Sequence, residues 1–402
     1  MFDLNDFIAR EVTKRPQSMF LSDIENNKEI LSQKIKGKRV LVIGGAGSIG
    51  SSFIKALLPF EPGSLIVVDT NENVLAELTR DLRSTKGMYV PEDYVPYPMD
   101  FSSAVFEKMF RSRKGFDIVG NFSAHKHVRS EKDIYSVEAL LKNNVLHAKI
   151  LLDLLAEFPP EEYFCVSTDK AANPVNIMGA SKRIMEDVIF AYSDKFPVKT
   201  ARFANVAFSN GSLPAGFLAR LSKLQPLSAP SDVRRYFVSP EESGQICMLA
   251  CMLGKNREIF FPKLREAQMM TFDAIATALL KEHGYEPLLC DSDEEAIEKA
   301  DSLKGSGNLY PVHYSGSNTS GEKAYEEFYT DQEKVDLERF NALGVIQEKP
   351  LVQRKFVEDL FEDLNGVFEK EDVTKEEVIK VMKRYVPNFE HIEKGKSLDS
   401  KM

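Results

Sequence analysis

From Lys38 onward the chain alternates between short runs rich in β-branched and aromatic residues and longer stretches of helical periodicity. This rhythm limits the fold more than any other feature. The runs are RVLVI (39–43), SLIVVD (64–69), YVPYPMD (94–100), FDIVGNF (116–122), EYFCVS (162–167) and VKTARF (198–203). Strands that are apolar along their length are covered on both faces, and helices between them supply the cover. The pattern predicts an α/β fold, a Rossmann-like doubly wound parallel sheet. Ligands of such sheets bind outside the carboxyl ends of the strands, so candidate site residues are sought there.

The 402 residues allow one large domain and a smaller lobe. A net charge of −9 argues against a nucleic-acid surface and offers no attraction to a membrane. No apolar run approaches the roughly 18 residues of a spanning helix, and the opening MFDLNDFIAR lacks the pattern of a signal peptide. A cytoplasmic protein without membrane insertion is expected. Cys165, Cys247, Cys251 and Cys290 form no CxxC pair, and the histidines show no ligand spacing, so no metal is proposed.

The reading divides the chain into four parts. Residues 1–36 form a helical arm, with Phe2, Leu4, Phe7, Ile8 and Val12 on one face and Ser22 as a cap. Residues 37–210 form the dinucleotide-binding domain. Residues 211–365 form mainly a smaller C-terminal α/β substrate lobe, with the polar stretch 291–320 read as a surface excursion. Residues 366–402 hold a helix opened by a Thr374–Glu377 capping box, then a disordered tail. The arm suggests a homo-oligomer, with dimer and hexamer equally open.

VLVIGGAGSIGSSF places Gly44, Gly47 and Gly50 between the first strand and a helix, with Ser48 and Ile49 between the last two glycines. Glycines here permit a tight turn and let backbone N–H groups approach a pyrophosphate at the helix N-terminus. Asp69 ends the second strand, where a carboxylate accepts from an adenosine ribose and repels a 2′-phosphate. NAD is therefore favoured over NADP, although Arg80 or Arg83 could fold back. Asp100 closes the third strand, either beside the adenine or as a solvated strand-end acid.

The segment STDKAANPVNIMGASK (167–182) resembles the catalytic stretch of a short-chain dehydrogenase, with Met178 standing four residues before Lys182 in place of a tyrosine. Together with GGAGSIG, AHKHV (124–128), KNNVL (142–146), RFANV (202–206), VRRYF (233–237) and GEKAYEEF (321–328), it makes the chain resemble the extended short-chain dehydrogenases of polysaccharide biosynthesis. The likeness is greatest to the Met-x-x-x-Lys subgroup of UDP-N-acetylglucosamine 4,6-dehydratases. It spans about Gly37 to Gly344; the last sixty residues and the stretch 291–320 have no counterpart.

The resemblance implies a tightly held NAD, a UDP-sugar substrate, and a reaction of three linked events. C-4 is oxidised, water leaves across C-5 and C-6, and the hydride returns to C-6. It assigns Asp169 as acid and Lys170 as base. A neutral lysine costs about 4 kcal/mol near pH 7.4 against a normal pKa, so burial and a cationic neighbour are expected to leave Lys170 neutral and Asp169 protonated. Lys182 holds the nicotinamide ribose, and Met178 lines the sugar pocket. The C-4 proton leaves through Thr168 to water or, the favoured route, directly to Asp169.

Asn144 is expected to support the site, Lys126 and His127 to border it, and Asn205 and Arg235 to grip the diphosphate, with Arg234 as a rival for Arg235. Glu322 is placed at the uridine ribose. A nucleotide-sugar epimerase and a catalytically silent NAD-binding module remain alternatives, and the configuration at C-5 stays open.

Overall fold

The computed structural model describes residues 2–127, 131–301, 307–317, 325–347 and 349–392. The six runs become parallel strands β1 (Arg39–Ile43), β2 (Ser64–Asp69), β3 (Asp93–Pro98), β4 (Ile118–Asn121), β5 (Glu162–Val166) and β6 (Val198–Ala201). Short pieces follow: β7 (Asn205–Val206), β8 (Leu227–Pro230), β9 (Arg234–Arg235) and β10 (Phe237–Val238). The rest are β11 (Glu258–Pro262), β12 (Met270–Thr271), β13 (Glu286–Leu289), β14 (Leu309–Ser315), β15 (Val335–Asp336) and β16 (Leu343–Ile346).

The large sheet runs β15-β16-β11-β6-β5-β4-β1-β2-β3, parallel from β3 to β11, with β16 and β15 antiparallel at the far edge. Strand order reverses between β1, which pairs β2 on one side and β4 on the other, so the ligand crevice of a doubly wound sheet opens there. The expected Rossmann-like architecture is the observed one. β4 and β5 are buried throughout, which is why their sequences read as apolar without alternation.

The helix Pro240–Leu253 is capped by the reciprocal Ser239–Glu242 box and is buried nearly all round. It packs against the helix Ser48–Leu57 so closely that a Cβ on Gly244 would lie 2.1 Å from the Ser52 carbonyl oxygen. With this helix, β11, β15 and β16 joining the large sheet, the segment 211–365 is shared between two cores.

The second core gathers Phe217, Leu227, Ile275, Leu279, Tyr310 and Val312 around the parallel sheet β13-β14-β8. Here the structure corrects the sequence reading. The stretch 291–320 is not a surface excursion, because Leu309–Ser315 is the central strand of that sheet. Its backbone is paired on both sides and only Tyr310, Pro311 and Val312 are fully buried, too few to show against polar flanks.

Phe7, Ile8 and Val12 of the arm bury into this second core, whereas Phe20, Leu31 and Ile35 bury into the main one. Buried Asp23 accepts from the Asn341 and Ala342 amides, and Arg15 pairs with Glu242 at 2.6 Å. The arm thus packs on its own chain. Ser22 is not its cap: the helix Leu21–Asn26 starts one residue earlier, and the Ser22 hydroxyl accepts from Asn341 Nδ2. The helices Arg354–Phe368 and Lys375–Tyr385 close the chain, the latter with the expected Thr374–Glu377 box. The tail 393–402 lies outside the described residues. Among the described residues no helix is long and apolar enough to cross a membrane.

Candidate active site

The glycine turn follows β1. Gly44 has φ +67°, and a Cβ there would lie 2.6 Å from the Ser123 amide nitrogen in the segment after β4. A Cβ on Gly50 would lie 2.4 Å from the Gly44 carbonyl oxygen. Gly47 precedes Ser48 and Ile49 at the start of the helix Ser48–Leu57, which no side chain caps, so its first-turn N–H groups are left for an anion. Asp69 stands at the end of β2, where Oδ2 accepts from the Ala46 amide at 3.1 Å and Oδ1 from the Asn71 amide at 3.0 Å. The Ser48 hydroxyl accepts from the Asn210 amide. Asp100 is exposed and accepts from the amide and hydroxyl of Ser102. Arg80 pairs with Glu77 and Arg83 lies over the Tyr94 ring, so neither folds back onto Asp69.

At the carboxyl end of β5 the chain enters a single turn, Asp169–Ala171. Thr168 Oγ1 donates to Asp169 Oδ1 at 2.8 Å, and Lys170 Nζ donates to the same oxygen at 3.1 Å. Glu326 Oε1 stands 4.0 Å from Lys170 Nζ, and the three side chains are 16% (Lys170), 4% (Asp169) and 3% (Glu326) exposed. Burial works against the charge on Lys170, yet Asp169 and Glu326 outweigh it and hold the lysine above its ordinary pKa. That direction runs against the neutral lysine expected from the sequence, and part of it comes from a second carboxylate, Glu326, that arrives from a distant segment.

Lys182 is buried on the helix Ile177–Phe190 and donates to the Val166 carbonyl at 3.1 Å. Burial pulls its pKa down, with Cys165 and Glu186 partly opposing. Met178, one turn earlier, is buried in the main core. Asn144 lies in the π-turn Lys142–Leu146, a distortion frequent at functional sites. Its Oδ1 accepts from the His125 amide, and its Nδ2 donates to the His125 carbonyl and the Ser181 hydroxyl. It fastens the loop after β4 to the Lys182 helix. In that loop Lys126 is exposed. The His127 ring lies where a Cβ on Gly211 would meet its Nε2 at 2.9 Å.

Asn205 opens β7, half-buried, its amide donating to the Tyr236 carbonyl. The structure separates the two candidate arginines. Arg235 is buried and close enough for its charge to act on Lys170, while Arg234 is exposed and pairs with Glu266. Glu322 lies outside the described residues.

Sequence reasoning missed three carboxylates. Glu326 sits in the quoted GEKAYEEF motif, but nothing in its spacing marks it as buried. Glu131 accepts from the Ile177 and Met178 amides at 3.0 and 2.8 Å, anchoring the start of the Lys182 helix. Glu186, four residues beyond Lys182, accepts from Ser167 Oγ and from both sides of the Arg202 guanidinium. Burial alone would raise Glu186, but Arg202 overrides it and brings its pKa down to about 2. Arg202 also pairs with Glu333, tying β6 to the segment that carries Glu326.

The family model described as "Polysaccharide biosynthesis protein" matches residues 40–348. An uncharacterized membrane protein of Methanocaldococcus jannaschii is 29% identical over 360 residues, covering 88% of this chain and 97% of that protein. The probable polysaccharide biosynthesis protein EpsC of Bacillus subtilis is 28% identical over 87% of this chain, which spans only 54% of EpsC. An inverting UDP-N-acetylglucosamine 4,6-dehydratase of Campylobacter jejuni is 27% identical over 57% of this chain and 67% of its own length. The fold is shared with DesIV, a dTDP-glucose 4,6-dehydratase from Streptomyces venezuelae solved with NAD and TYD bound, at TM-score 0.53 and 21% identity over 72% of this chain and 88% of that one. The chain belongs to the polysaccharide biosynthesis protein family, within the extended short-chain dehydrogenases that its motifs resemble.

Proposed function

We propose that the chain is a nucleotide-sugar 4,6-dehydratase. It converts UDP-N-acetylglucosamine to a UDP-4-keto-6-deoxy-N-acetylhexosamine for rare-sugar and surface polysaccharide synthesis. The observation that carries this reading is the buried Asp169–Lys170 pair at the carboxyl end of β5, beside Thr168 and Lys182, with no phenol at position 178. An acid and a base side by side suit an elimination across C-5 and C-6.

The glycine turn, Asp69 and Lys182 fit a dinucleotide: the turn has no room for side chains, a helix start is free for phosphate, and a carboxylate ends β2. NAD held there would accept the hydride from C-4 and return it to C-6. Asp69, to which no arginine is paired among the described residues, favours NAD over NADP.

The chain's own residues account for the protons. Asp169 takes the proton of the C-4 hydroxyl as C-4 is oxidised. With Asp169 protonated, its hold on the Lys170 ammonium is released; Lys170 passes its proton to Glu326 and, now neutral, removes the C-5 proton that the new ketone makes acidic. Asp169 returns its proton to the departing C-6 hydroxyl, which leaves as water. Lys170 then protonates C-5 and regains its proton from Glu326. Arg235, buried and near enough for its charge to act on Lys170, suits a diphosphate as a bidentate donor, and Asn205 lies in the adjoining strand pair. Asn144 keeps Lys126 and His127 at the rim.

The test is incubation of the purified protein with UDP-N-acetylglucosamine and NAD, followed by mass analysis. A product lighter by one water supports the reading. An isomer of unchanged mass would make it an epimerase, and an unchanged sugar with bound cofactor would make it a silent module.

A further inference from the structure

The residues after the family match fold back onto the catalytic turn. The helix Lys375–Tyr385 buries Val378, Val381 and Met382 and packs on the Lys182 helix. The chain beyond it then runs along residues 172–175, immediately after the Asp169–Lys170 turn. Asn388 Nδ2 donates to the Ala172 carbonyl at 3.2 Å, the Glu390 amide to the Pro174 carbonyl at 3.2 Å, and the Ile392 amide to the Val175 carbonyl at 3.0 Å. Phe389 is buried between these contacts. His391 Nε2 stands 3.9 Å from Glu131 Oε2, the carboxylate that receives the Ile177 and Met178 amides. From the other side Asn173 Nδ2 donates to Glu327, next to Glu326.

We propose that residues 388–392 are a positioning strap that holds the segment 169–178 in register with the Lys182 helix, with Asn388 as its principal side chain. The segment 172–176, between the turn that carries Asp169 and Lys170 and the helix Ile177–Phe190, has no regular secondary structure of its own. Its carbonyls at Ala172, Pro174 and Val175 are satisfied by the strap, and buried backbone groups keep such partners. A positional error of about 1 Å in groups of this kind costs on the order of a hundredfold in rate. The kinetic part of this inference rests on the dehydratase reading; the structural part does not.

The test compares three variants of the full chain by hydrogen exchange and by steady-state kinetics. The first lacks residues 388–402, the second lacks only 393–402, and the third is Asn388→Ala, which keeps the Phe389 anchor and the fold. Loss of 388–402 speeds exchange of the 169–178 amides by about tenfold or more, while the β1–glycine-turn peptide 39–50 is unchanged. It lowers kcat by about a hundredfold with KM held within about threefold. Asn388→Ala gives a smaller loss, about fivefold, the weight of one neutral hydrogen bond. The variant lacking only 393–402 behaves like the parent.

Unchanged exchange at 169–178 overturns the strap. So does faster exchange without any fall in kcat, and so does exchange that rises equally in 39–50, which marks general loosening. If the parent turns over no nucleotide sugar, the dehydratase reading fails by itself, and the exchange comparison still decides whether the segment is held.

Discussion

Replacing Glu326 with glutamine removes a buried carboxylate 4.0 Å from Lys170 Nζ and leaves the side chain's shape almost unchanged. A unit pair at that distance is worth about 1 kcal/mol in bulk water and about 4 kcal/mol at the effective dielectric near a protein surface. The hold on the Lys170 ammonium weakens by an amount within that range. If Glu326 only restrained the lysine as a cation, the substitution would free the base and raise turnover at neutral pH. In the proposed mechanism Glu326 instead receives the Lys170 proton, and its loss removes the acceptor. Then kcat at neutral pH falls by about a hundredfold, a typical general-base contribution, and recovers as pH rises and solvent takes the proton. KM changes little. The assay is kcat and KM for UDP-N-acetylglucosamine across the neutral to alkaline range. An unchanged or increased kcat at neutral pH would refute the acceptor role.

Gly244→Ala drives a methyl into the Ser52 backbone, at 2.1 Å from its carbonyl oxygen, in helices that cannot separate cheaply. Thermal unfolding should show a loss of about 1–3 kcal/mol or more. Glu186, held at about 2 against 4.5 when free, adds on the order of 3 kcal/mol of stability. Its folded pKa is depressed, so that stability is present above the unfolded value and fades as pH drops toward 2. Glu186→Gln should cost about 3–5 kcal/mol at neutral pH by leaving Arg202 half paired, and should flatten the acid side of the unfolding profile. Met178→Tyr should leave turnover within about tenfold of the parent, since no step needs a phenol; a large gain in rate would show that one had been missing.

The parts of the fold visible in the sequence were those where burial is uniform. β4 and β5 are covered on both faces and spell their burial in every residue. The strand Leu309–Ser315 was hidden because its backbone partners, not its side chains, fix it at the centre of a small sheet. The helix Pro240–Leu253 is buried nearly all round, so its sequence carries no apolar stripe to say what it packs against. In the site, Asp169, Lys170 and Lys182 are neighbours in one motif and were legible from it. The second carboxylate facing Lys170 was not, because Glu326 is brought in by the network of Arg202 and Glu333. Likewise Arg234 and Arg235 are alike in sequence and differ only in which side of β9 they occupy.

The proposal that an adjacent carboxyl and amine perform this elimination without a phenol turns on the fate of the C-5 proton. It is tested most directly by turning over UDP-N-acetylglucosamine in deuterated water and reading C-5 by NMR, for the parent and for Lys170→Ala. The expected result is a 6-deoxy-4-keto product with solvent deuterium at C-5 from the parent, and in the variant no deuterium at C-5 while some cofactor is still reduced. Deuterium entering C-5 at parental rate in the variant, or no cofactor reduction at all, would contradict it.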